Sequence, residues 1–153
     1  MTVNRPSRGP LLLLLQQNTR MAAVPDLVHR HAESLVDEAL ADTRVVLVNG
    51  ARQAGKSTLT RITAGSRPGT VIRLLHDPAT LRAALDDPAG FVDHDALMVI
   101  DEIQLAPELL RAIKVTVDLD PRPGRFLLTA SSRVLALRNL PDALPGRMEV
   151  TEL

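Results

Sequence analysis

Two unbroken apolar runs, Val45-Val46-Leu47-Val48 and Ala96-Leu97-Met98-Val99-Ile100, are the length of strands and are bounded by polar residues and glycine. Runs of this kind, without polar alternation, predict strands buried on both faces, as in a parallel sheet covered by helices. Between and around them the period changes. Leu27, Val28, His31, Leu35, Val36, Ala39 and Leu40 recur at helical spacing ahead of the first strand, and Leu59, Ile62 and Thr63 do so after it. Gly65 to Gly69 form a break, Thr70 to Leu75 predict a second strand, and Pro78 opens a helix through Leu85 that Pro88 and Gly90 end. Pro107 starts a further helix with Leu109, Leu110, Ile113 and Val117 on one face, and Pro121-Arg122-Pro123-Gly124 terminates it. Phe126-Leu127-Leu128 is another buried strand, and Met148 to Leu153 a last one. Strands alternating with helices predict an α/β fold of three layers, αβα, around a mainly parallel sheet of about five strands with right-handed crossovers.

Composition narrows the class. A chain of 153 residues suits one domain, and 45% hydrophobic with 24% charged residues is ordinary for a globular protein. Two Phe, with neither Trp nor Tyr, argue against aromatic platforms for single-stranded nucleic acid, and a formal net charge of zero does not support nucleic acid as the main partner. The absence of cysteine excludes disulfides and thiolate metal sites and fits a reducing, cytoplasmic setting. Arg5 and Arg8 precede Leu11 to Leu15, but that apolar run is too short for a signal peptide or a membrane span. Residues 1–25 are expected to be a loosely ordered extension, with Met21 a candidate start, and residues 26–153 the folded core. His29 and His31, two apart on a helix, point to different faces, and His76 and His94 have no companion at ligand spacing, so a histidine metal site is not expected.

The chemistry begins where the first strand ends. Gly50-Ala51-Arg52-Gln53-Ala54-Gly55-Lys56-Ser57 fits the pattern G-x-x-x-x-G-K-[ST], delivered by a strand and left by a helix that continues through Thr58. Exposed N–H groups at such a helix start bind phosphate oxygens. Gly50 and Gly55 are expected to take backbone conformations closed to other residues and bring the amides close to the phosphates. Lys56 is a point charge suited to β- and γ-phosphates, and Ser57 offers a hydroxyl to magnesium. Arg52 is expected to face solvent or a substrate, since loop amides already cover the phosphates.

A second site lies at the end of the other buried run, in Asp101-Glu102. Ligands of open α/β sheets sit at the C-terminal ends of the strands, so both carboxylates are candidates to face the same cleft. Asp101 would hold magnesium through water, and Glu102 would polarise the attacking water as general base. Thr129-Ala130-Ser131-Ser132 ends the following strand. Ser131 is the candidate to sense the γ-phosphate or orient water if that strand neighbours both others; a helix N-cap is the equally open alternative.

In order along the chain, the phosphate loop, Ile100-Asp101-Glu102-Ile103-Gln104, Pro107-Glu108-Leu109-Leu110, Gly124 to Ser132 and Leu144-Pro145-Gly146-Arg147 resemble one family. It is the AAA-superfamily ATP-binding domain of a prokaryotic group whose members usually carry a C-terminal domain of unknown function. The resemblance runs from about Leu27 to Leu153. It implies ATP as nucleotide, Mg2+ as cofactor, the P-loop NTPase sheet with an additional strand, Lys56 and Ser57 as Walker A residues, and Asp101 and Glu102 as the Walker B pair. It also matches Ser131 to the polar sensor region and Arg147 to the arginine of the Gly-Arg segment, with phosphate sensing and a surface role both open for Arg147. Arg133 and Arg138 are further candidate arginines. Ala51 stands where proline is frequent and Ala130 where glycine is usual. The helical lid and second domain that normally follow the core are expected to be absent. The function expected is a Mg2+-dependent AAA-type ATPase core with weak hydrolysis, with self-association or a protein partner open. The alternatives are a nucleotide-dependent regulatory module without turnover and a small-molecule kinase.

Overall fold

A computed structural model describes residues 30–131 and 144–153. The expected N-terminal extension, Leu27, Val28, His29, Ser132, Arg133 and Arg138 lie outside the described residues. Helix α1 covers residues 30–42, and β1 follows at Val45–Gly50. The chain continues through α2 (Lys56–Gly65), β2 (Val71–Leu74), α3 (Pro78–Asp86), α4 (Pro88–Phe91), β3 (Met98–Asp101), α5 (Leu109–Leu119), β4 (Phe126–Ser131) and β5 (Met148–Glu152). A 3-10 turn, Ile103–Leu105, links β3 to the segment before α5.

The five strands are ordered β2-β3-β4-β1-β5, and every adjacent pair is parallel. The physical reason is in the alternation of side chains on buried strands. Val45 and Leu47 of β1 join Met98, Ile100, Phe126 and Leu128 in a core beneath α3, α4 and α5. Val46 and Val48 point the other way, with Val99 and Leu127, onto α1 and Leu59 of α2. Both faces of the sheet are therefore covered, which is the three-layer αβα arrangement that continuous apolar strands require.

Details depart from the pattern-based reading. α3 ends at Asp86, ahead of Pro88 as expected, but Pro88 also opens the short α4, because Asp87 accepts a hydrogen bond from the Gly90 N–H at 3.0 Å as an N-cap. The same Asp-Pro device starts α3, where Asp77 accepts from the Thr80 N–H at 2.8 Å. In α1 the buried stripe is Ala32, Val36, Ala39 and Leu40, while His31 and Leu35 are exposed. In α2 it is Leu59, Thr60 and Thr63, with Ile62 exposed. Among the described residues no helix is long and apolar enough to cross a membrane.

Candidate functional site

β1 runs into a turn that ends at Gly55, where φ is 84° and ψ 11°, and α2 starts at Lys56. Glycine takes this left-handed geometry without steric cost, and it brings no side chain to cap the helix. The first turn of α2 also carries no acidic residue. Its leading N–H groups therefore keep their hydrogen-bonding capacity for a ligand, with the positive end of the helix dipole behind them. Gln53 also lies at positive φ, 70°.

Lys56 is 6% exposed, and its ammonium folds back over the loop, donating to the Gly50 carbonyl at 2.7 Å and the Ala51 carbonyl at 2.9 Å. Gly50 is constrained by space rather than by conformation. A Cβ there would come within 3.0 Å of both Cβ and the carbonyl oxygen of Leu153, where β5 runs on beside β1. The expectation of an unusual backbone at Gly50 is corrected on that ground.

A cleft of about 1050 Å³ opens at the C-terminal ends of the strands. Of the residues expected there, Ala51, Arg52, Gln53, Gly55, Lys56, Ser57, Thr58, Asp101, Glu102 and Ser131 line it. Gly50 contributes its carbonyl to Lys56 from behind, and Ala54 closes the turn, its N–H donating to the Ala51 carbonyl at 3.1 Å. Arg52 is exposed on the cleft wall. The wall beyond the acidic pair is completed by His76, which follows β2, and Leu105 of the 3-10 turn, neither singled out for this site from the sequence.

What joins the two halves is β4. It pairs with β1 in a register that sets Gly50 opposite Ser131, and with β3 through Ile100 opposite Leu128. Ser131 therefore stands beside the start of the loop and near the acidic pair, as its candidacy required. Its hydroxyl accepts from the Gln104 side-chain amide at 3.3 Å, and the same amide donates to the Glu102 carboxylate. Asp101 is 8% exposed and accepts from the hydroxyl of Thr129, which also accepts from the Glu102 N–H at 3.0 Å. Gln104 and Thr129 were within the quoted motifs but carried no assignment. A polar residue inside an apolar strand was the available signal for Thr129.

Arg147 lies elsewhere. Its carbonyl accepts from the Val45 N–H at 3.1 Å, which places it where β1 and β5 begin, a strand's length of about 15–20 Å from the cleft. There its guanidinium pairs with Asp118 of α5 and donates to the Pro145 carbonyl at 2.8 Å. That pairing holds the Asp118 carboxyl below its ordinary range. Arg147 is thus not part of the cleft of its own chain, because parallel strands put their starts and ends on opposite sides.

Comparison with known proteins agrees with this geometry. A family model described as an AAA domain matches residues 42–153. The chain belongs to this AAA domain family. Two relatives, the uncharacterized proteins Mb2031c of Mycobacterium bovis and Rv2008c of Mycobacterium tuberculosis, are each 33% identical over 124 residues, 81% of this chain. The chain spans 28% of the length of either relative. Among solved structures, a DNA replication initiation factor superposes with a TM-score of 0.54 at 12% identity, over 84% of this chain and 45% of that one, a likeness of fold. As an AAA domain the chain is a P-loop, nucleotide-binding, ATPase-type module, with β4 inserted between the loop strand and the acidic strand.

Proposed function

We propose that this AAA domain binds ATP together with Mg2+ and hydrolyses it slowly. The observation that carries the reading is convergence. The open start of α2 with Lys56, and the carboxylates of Asp101 and Glu102 from a strand two places away, face one cleft. The residues present suit both ligands. Amides and an ammonium match a polyphosphate, and a hydroxyl with a carboxylate matches a hard divalent cation that keeps most of its waters. Bound magnesium would supply charge neutralisation at the phosphates, held through Ser57 and Asp101.

The chain's own groups supply the rest. The amides of Gln53 and of Gly55 to Thr58 would cradle the phosphates, and Lys56 would exchange its two loop carbonyls for phosphate oxygens. Glu102 would take a proton from the attacking water, with Ser131 and Gln104 orienting the groups beside it. Among the described residues Arg52 is the one arginine that lines the cleft, and it sits exposed on the wall. An arginine that neutralises transition-state charge is worth about 10³-fold or more, and the described residues bring only Arg52 to the wall, so the rate proposed is slow. Self-association or a protein partner belongs to the same proposal and is favoured over nucleic acid by the zero formal net charge.

Steady-state phosphate release with Mg2+ and ATP tests this in the wild type and Glu102→Gln. The expected outcome is slow release by the wild type, lowered at least about 100-fold in Glu102→Gln, in line with removal of a general base, while ATP still binds. Nucleotide binding with no phosphate release from the wild type at high protein concentration would replace hydrolysis with a regulatory role.

A further inference from the structure

Thr129 is a fully buried hydroxyl in a strand whose neighbouring residues are apolar. The parallel ladder explains what it does there. The Met98 N–H donates to the Arg125 carbonyl at 2.9 Å, and the ladder's two-residue period would bring the Glu102 N–H, four residues on, to the carbonyl of Thr129. The β3–β4 pairing stops instead at Ile100 opposite Leu128. Glu102 turns away with φ 63° and ψ 49°, a left-handed conformation rarely taken by a residue with a side chain. Its N–H then donates to the Thr129 hydroxyl, not to the backbone, at 3.0 Å.

The direction of the second bond follows from inventory. The amide can only donate to the hydroxyl, which leaves the one hydroxyl proton for Asp101 Oδ1 at 2.5 Å. One side chain thus substitutes for a missing ladder bond and fixes a carboxylate, at the point where β3 parts from β4 to open the cleft.

We propose that Thr129 is the positioning residue of this site. Its hydroxyl sets the rotation of the Asp101 carboxylate toward the cation and holds the turned backbone that presents Glu102. This rests on the reading of a magnesium–ATP site. Groups that orient a metal-binding carboxylate from behind typically change metal affinity or activity by about 10–100-fold when removed.

The test uses Thr129→Val, which keeps the branched shape and removes the hydroxyl, and Thr129→Ser, which keeps the hydroxyl. Melting temperatures are read with ATP in EDTA and with ATP plus MgCl2, alongside phosphate release. In the wild type Mg2+ is expected to add to the shift given by ATP alone. Thr129→Val should keep the ATP shift, lose the Mg2+ increment, and raise the Mg2+ concentration for half-maximal phosphate release about tenfold or more. Its kcat should fall at least as far while KM for ATP stays within about threefold, and Thr129→Ser should restore both. If Thr129→Val does not fold, Thr129→Ala carries the same expectation against Thr129→Ser. The proposal is overturned if a folded Thr129→Val keeps the increment and kcat, if Val and Ser lose them equally, or if the wild type shows no Mg2+ increment. A wild type with the increment but no phosphate release would refute hydrolysis alone and leave the melting data to decide on Thr129.

Discussion

At the scale of single residues, the cleft is held by backbone conformations that ordinary positions avoid. Gly55 and Glu102 are both left-handed, one at the start of α2 and the other just past β3. For Gly55 the cost is nil, and a side chain would impose it. Gly55→Ala is expected to destabilise the fold by about 1–2 kcal/mol, the penalty of a left-handed L-residue, in denaturant titration. ATP binding by the same variant should weaken, because the loop can relieve the strain only by moving its amides. Which residues line the cleft was legible where chemistry follows residue type and spacing: Lys56, Ser57, Asp101, Glu102 and Ser131 all reach it. Thr129 and Gln104 were not legible in their roles, since their partners lie across strands whose adjacency no local pattern encodes. Of the two roles open for Arg147, the geometry within this chain matches pairing with another helix, because its segment precedes a parallel strand and so lies at the end opposite the cleft.

At the scale of elements, apolar runs and helical spacing located the strands and helices, because burial on one or both faces dictates those patterns. Pro88 follows the end of α3 at Asp86, as its position suggests, but Asp87-Pro88 also repeats the Asp77-Pro78 start, and the hydrogen bond to the Gly90 N–H is what marks it as a cap. Element junctions also carry the pH dependence. Asp120 caps the end of α5 and bonds Arg122, at 2.9 Å from Nε to either oxygen, and it pairs with the buried Arg125 just before β4. The Arg122 hydrogen bond, with the nearby charges, brings the Asp120 carboxyl down to about 2. An unfolded Asp titrates near ~3.9. The stabilisation is therefore complete above that pH and is lost as pH falls from about 4 through about 2. Asp120→Asn should lower the melting temperature at pH 7, and the gap to wild type should shrink as pH falls across that window. An unchanged gap from pH 7 to pH 2 would remove the charge from the explanation.

At the scale of the whole molecule, function depends on an order that the chain does not spell out: β2-β3-β4-β1-β5. Strand identities were readable one by one, but their neighbours follow from crossovers and from which faces bury together. With β4 between β1 and β3, the phosphate loop and the acidic pair are separated by one strand, leaving room for a cleft of about 1050 Å³ between them. The central claim is that this cleft grips the phosphates of ATP through the α2 start and Lys56. Calorimetric titration of ATP with Mg2+ into the wild type and Lys56→Ala tests it most directly. Saturable one-to-one binding by the wild type, weakened at least about tenfold in a folded Lys56→Ala as expected for loss of a charge-assisted bond, is the predicted result. Equal affinity of the two proteins, or no binding by a folded wild type, would contradict it.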